Sequence, residues 1–200
     1  LDEQGDEIFA NADSISLELD MEKEVVKRAF ALAEKYDKPI YAVVSNMSIA
    51  VERRDFMRQV HCFICNQQEA GILFSENYDG ATPEEMLETL KVKIRAAQIS
   101  RMVVTMGAQG AVFATLDGEA GWCPAKKVDV KDTTGAGDAF FAGVVIGQTY
   151  GKTMMEACEI GTRLAASVIT TGENVCPRYL PSEFGLDIPE PDEAQLALEF

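Results

Sequence analysis

Strand-like apolar runs at residues 14–19, 39–44, 60–65, 102–105 and Ala111–Thr115 alternate with amphipathic segments, and this alternation constrains the fold more than any other feature. Residues 22–36 carry Val25, Val26, Ala29, Phe30 and Ala33 at helical spacing. Residues 51–57 predict a short helix and Pro83–Ala97 a long one. Most of the runs are apolar on successive residues, as strands buried on both faces are. Strand and helix in repeated alternation therefore predict a mostly parallel sheet covered by helices on both sides. Residues 139–171 read as almost continuously helical, with a break near Tyr150-Gly151 and a stop at Thr171-Gly172. Beyond Pro181 the chain turns acidic and proline-punctuated, which predicts a loosely held tail. With no repeat or interdomain linker in view, the expectation is one domain over residues 1–181 and a tail over 182–200.

Charge narrows the partners. The chain has 18 basic and 33 acidic side chains, a formal −15. A surface this negative repels phosphate backbones and anionic lipids, so neither nucleic acid nor membrane is an expected partner. The acidic start, with no basic-then-apolar stretch, predicts no signal peptide and a cytoplasmic protein. A phosphate site on such a chain would have to use backbone N–H groups, a helix terminus and metal ions rather than a basic patch. Five cysteines at scattered spacing describe no disulfide framework. Cys62 and Cys65 sit in a strand-like run that would turn them to opposite faces, so they are expected to be structural thiols rather than metal ligands.

The stretch that carries chemistry is Asp132-Thr-Thr-Gly-Ala-Gly-Asp138-Ala-Phe-Phe-Ala-Gly143. Its glycines stand just before an apolar helix, where free N–H donors and the positive end of the helix dipole would hold an anion without lysine. Asp138 fits two roles that the local physics leaves open. It is a helix cap, or a base placed beside a phosphoryl group to take the proton from an attacking hydroxyl. No G-x-x-x-x-G-K-[ST] is present, and the third glycine of a dinucleotide fingerprint is missing after Gly137.

The run Asp-Thr-Thr-Gly-Ala-Gly-Asp-Ala-Phe is similar, residue for residue, to the C-terminal signature of the ribokinase family, the phosphofructokinase-B type of sugar and nucleoside kinase. The resemblance implies a ribokinase-like three-layer αβα sandwich that uses ATP and magnesium to phosphorylate a hydroxyl of a small sugar or nucleoside acceptor. It assigns the catalytic base to Asp138 and the anion hole to Gly135, Ala136 and Gly137. Asn66-Gln-Gln-Glu69 resembles the family's N-x-x-E motif, with Asn66 near the phosphates and Glu69 on magnesium through water; by itself this tetrapeptide is a weak signal that simply opens a helix. The run from Val103 through Thr105, Gly107 and Gly110 resembles the turn whose backbone follows the nucleotide. Residues 165–174, ending at Asn174, resemble the helix and loop lining the adenine pocket. Asp132, Thr134 and Gly172 would fall at the monovalent-cation (potassium-type) site of many members.

The family pattern normally begins with an earlier stretch that supplies a Gly-Gly motif, most acceptor contacts and a small β-lid, with strands that this chain lacks. The resemblance starts near residues 14–20 and runs to about Pro181, so a fragment of a longer kinase or a truncated homologue is expected. A nucleotide-binding but catalytically silent protein that acts through protein contacts is the alternative. An uncovered sheet edge with an apolar face would favour a homodimer or other self-association. The loop at residues 44–48 and the turn at 172–174 resemble those of pseudouridine kinases, while ribose, fructose-type and nucleoside acceptors all stay open.

Overall fold

The computed structural model describes residues 1–52, 54–172, 175–176 and 180–186. Six strands form one sheet in the order of the chain: β1 (Ile15–Glu18), β2 (Ile40–Val43), β3 (Cys62–Asn66), β4 (Arg101–Thr105), β5 (Ala111–Thr115) and β6 (Ala120–Cys123). The first four are parallel, and β5 and β6 add an antiparallel edge. The helices are α1 (Gly5–Asn11), α2 (Lys23–Lys35), α3 (Met47–Glu52), α4 (Arg54–Met57), α5 (Gln67–Phe74), α6 (Pro83–Ala97), α7 (Ala136–Thr149) and α8 (Met154–Ile169).

The parallel strands are added in one direction, so right-handed crossovers put their helices on one face. That face buries Val26 and Phe30 of α2, Leu73 of α5, and Met86, Leu90 and Ile94 of α6 against Phe63, Met102 and Val112. The second face is covered by α7 and α8, with Phe140, Val144, Met154 and Ala157 on Tyr41, Ile64, Val103 and Phe113. The sheet is therefore mostly parallel and sandwiched, as expected. Cys65 belongs to the first core and Cys62 to the second, the opposite-face placement that a strand imposes. Helices α7 and α8 pack at glycine distance: a Cβ on Gly143 would lie 2.5 Å from Gly161 Cα, and one on Gly147 2.8 Å from Ala157 Cα.

Several expectations change. Helix α1 and strand β6 had no clear signal, and the helix expected over 51–57 forms as two pieces, α3 and α4. Helix α7 begins at Ala136 rather than 139, which takes Gly137 and Asp138 into its first turn. The expected tail is held further than 181: Pro181–Phe184 is a 3-10 turn, and Leu186 is buried with Ile160 and Leu164 of α8. An acidic, proline-bearing stretch still docks where one leucine finds an apolar site. Residues 187–200 lie outside the described residues. Strand β1 is one of the two edge strands, but the face expected to be apolar there carries Ser16 and Glu18, both exposed. Leu17, between them, points to the covered side. No helix among the described residues is long and apolar enough to cross a membrane.

Candidate active site

Strands β3 and β4 end side by side, with Asn66 and Thr105 as register partners at their carboxyl ends. Ligands of open α/β sheets bind in the crevice outside such strand ends. A cavity of about 1040 Å³ opens there and is lined by both residues. The start of α6, at Thr82, Pro83 and Glu84, walls one side. Ala136, Gly137 and Phe140 of α7 and Thr162, Ala165, Ala166 and Ile169 of α8 wall the other.

The start of α7 is built for an anion. Its N-cap, Gly135, is left-handed (φ 78°), and no side chain caps the helix. The first bond of the ladder runs from Ala139 N to Gly135 O, and Ala136 N is held by Thr133 O. The N–H groups of Gly137 and Asp138 have no partner among the described residues. A Cβ on Gly137 would meet nothing within 4 Å, so open space lies directly against those donors. Donors of this kind beside space of this size fit the phosphates of a nucleotide.

Asp138 is the third residue of α7, exposed, and its carboxylate makes no hydrogen bond among the described residues. The N-cap position belongs to Gly135, so Asp138 stands in the first turn rather than at the cap. Asp138 does not line the cavity wall itself, nor does Gly135; both flank Ala136 and Gly137, which do. Asp132 accepts at Oδ1 from the Thr134 N–H and hydroxyl, each at 2.9 Å, and these bonds hold its carboxyl below the usual carboxylate range. The Lys131 N–H donates to Ile169 O at 2.8 Å, which ties the Asp132–Thr134 turn to the end of α8 three residues before Gly172. Asp132, Thr134 and Gly172 stand outside the large cavity, and Asn174 lies outside the described residues.

The N-x-x-E segment forms a complete capping box at the start of α5. Asn66 Oδ1 accepts from Glu69 N at 2.8 Å, and Glu69 Oε2 accepts from Asn66 N at 2.7 Å. Asn66 lines the cavity and Glu69 stands behind it, with Glu69 Oε1 unpartnered among the described residues. In the turn after β4, Gly107 (φ 56°) and Gly110 (φ 97°) both line the cavity, and Met106 N donates to Gly110 O at 2.7 Å. Gly110 is also a packing requirement, since a Cβ there would lie 2.1 Å from Cys123 O.

The sequence reading missed residues 122–130. Trp122, whose Nε1 donates to Gln109 O at 2.7 Å, lines the cavity together with Pro124, Lys126, Lys127, Val128 and Val130. Two exposed lysines thus stand at a site expected to lack basic residues. A lysine pair just ahead of the glycine motif was the available signal, and the net negative charge masked it.

The sequence pattern of the pfkB family carbohydrate kinases matches residues 3–175, and the chain belongs to that family. It is 32% identical over 163 residues to a guanosine-inosine kinase of Exiguobacterium acetylicum, covering 81% of this chain and 53% of that protein. It is 25% identical to a ribokinase of Schizosaccharomyces pombe, with 86% and 52% covered. Among solved structures, an adenosine kinase from Sinorhizobium meliloti superposes with a TM-score of 0.74 at 25% identity, covering 89% of this chain and 55% of that one. Arabidopsis thaliana ribokinase superposes with a TM-score of 0.74 at 20% identity, covering 86% and 54%, and supports the ribokinase-like fold alone. The chain spans about half the length of the curated relatives it matches.

Proposed function

We propose that this chain carries the nucleotide-binding and catalytic part of a kinase that transfers the γ-phosphoryl group of ATP to a hydroxyl of a sugar or nucleoside. The observation that carries the reading is the start of α7, where N–H groups without a partner among the described residues face open space beside a carboxylate that makes no hydrogen bond among them.

At the Gly135-Ala136-Gly137 turn the N–H groups of Gly137 and Asp138, which have no partner among the described residues, form the anion hole and stabilise charge on the transferring group, a role that backbone donors fill without reorganising. Asp138 accepts the proton of the attacking hydroxyl. Thr105, Gly107 and Gly110 present backbone along the nucleotide, Asn66 lies near its phosphates, and Asn174 belongs to the adenine side. Glu69, whose Oε1 has no partner among the described residues, would hold magnesium through water. A magnesium ion, when bound, neutralises charge on the phosphate oxygens. Asp132, kept ionised by Thr134, joins Thr134 and Gly172 in holding a monovalent cation of the potassium type. The acceptor class follows the relatives, which include guanosine-inosine kinase, ribokinase and an Escherichia coli pseudouridine kinase. Self-association through the edge strand β1 belongs to the same proposal, resting on its open backbone edge rather than on an apolar face.

Asp138→Asn decides the base. Asparagine keeps the size and cannot take the proton, and Gly135 keeps the cap position. In a polypeptide that also contains the acceptor-binding residues, turnover is expected to fall by about 10²–10⁴ with folding and ATP affinity near wild type. Near-wild-type turnover would remove Asp138 from the mechanism.

A further inference from the structure

A second cavity, of about 350 Å³, lies at the far ends of the helices that reach the first. Helices α5 and α6 start at the large cavity, with Asn66 capping α5 and Thr82 capping α6. They end at the small one, at Leu73 and Phe74 of α5 and at Lys93 of α6. The third wall is Arg54 of α4 and Arg58 in the turn beyond it.

Among the described residues, three basic side chains and no carboxylate line this cavity, in a chain whose acidic residues outnumber its basic ones 33 to 18. Arg54, in α4, and Arg58, in the turn that follows it, both line the cavity. Helix C-termini attract cations, and that accounts for part of the cluster. Arg54 donates to Leu73 O at 3.1 Å, at the end of α5, and Lys93 pairs with Glu76. It does not account for Arg58, which is exposed and has no ionic or hydrogen-bond partner among the described residues. Leu73, Phe74 and Ile99 give the same cavity an apolar lining.

We propose that this second cavity binds a small organic phosphate monoester, with the dianion on Arg54 and Arg58 and the apolar body against Leu73, Phe74 and Ile99. Guanidinium forks match phosphate oxygens in geometry and charge. The volume lies at the lower end of the range for small-molecule sites, about 300–1,000 Å³, which suits a ligand of one ring rather than a dinucleotide. Binding here is independent of any chemistry at the large cavity. Arg58 sits on neither α5 nor α6, so its charge can be changed without touching the first site.

Phenyl phosphate is the probe, titrated calorimetrically into the whole chain at physiological ionic strength. One site of millimolar affinity is expected. Arg58→Glu should weaken it by more than about tenfold, a change easily read. Arg58→Gln should weaken it less, with the unfolding midpoint of both variants near wild type. Gly137→Val, which alters only the large cavity, should leave it unchanged. No binding, or binding lost in Gly137→Val and kept in Arg58→Glu, would overturn the proposal. Benzoate binding as tightly as phenyl phosphate would overturn the phosphate assignment. Failure of the kinase reading would leave all of these results as they are.

Discussion

At Gly110 a Cβ would lie 2.1 Å from Cys123 O and 2.7 Å from Ala125 N, on a backbone with φ 97°. At Gly137 it would meet nothing within 4 Å, and φ is not in the left-handed region. The two glycines line the same cavity for opposite reasons: the first is needed by the protein, the second by whatever occupies the space. Gly110→Ala is expected to cost about 3 kcal/mol of stability, from strain and from displacement of the 123–125 segment. Gly137→Val should leave the urea midpoint close to wild type while MgATP loses affinity in calorimetry. A destabilised Gly137→Val with normal ATP affinity would refute the anion-hole assignment. Both glycines were visible in the sequence as turn residues. Their difference was not, because it depends on Cys123 and Ala125, which the chain brings to Gly110 through β5 and β6.

Helix α5 shows how one element can satisfy two readings of the same four residues. Asn66 and Glu69 close a capping box, which is sufficient structural reason for both. Glutamine serves at the third helical position of a capping box as well as glutamate does. Glu69→Gln should therefore keep the thermal midpoint while removing the charge offered to a metal. If Glu69 holds magnesium through water, the magnesium concentration for half-maximal activity rises in the polypeptide that includes the acceptor-binding residues. An unchanged magnesium dependence returns the motif to its helix-starting role. Helix α7 was legible as an apolar helix, but its start was set three residues late. The sequence offered Asp138 as a cap candidate, but a left-handed glycine three residues earlier opens the helix in place of a side chain.

For the molecule as a whole, His61 gives stability a pH dependence of known sign. It is the only histidine, so its NMR titration needs no assignment. Burial lowers its pKa, and the Arg101 guanidinium, 3.3 Å from Nδ1, lowers it further. The folded value lies below the unfolded value of about 6.5, so the unfolded chain binds more protons between the two. Stability from this group is complete above the unfolded value and declines as pH falls from there to the folded value. Urea unfolding at pH 7.5 and 5.5 should show a smaller loss in His61→Gln than in wild type. A folded-state titration at or above the unfolded value would reverse the expectation.

Local signals in the sequence were sufficient for the class of fold, the succession of most strands and helices, and the glycine-rich start of α7. Periodicity, turn chemistry and glycine placement act within a few residues, and those are the distances a sequence displays directly. Tertiary structure alone decided which residues share a wall. Asn66 and Thr105 meet because β3 and β4 pair in register, and Trp122 and Lys126 join them only because β6 folds back along β5. The burial of Leu186 against α8 and the gathering of Arg54, Arg58 and Lys93 at one cavity were likewise invisible in the chain. Each of these rests on contacts between segments distant in sequence. Which of them form is set by how the sheet orders its strands and by which faces the helices cover.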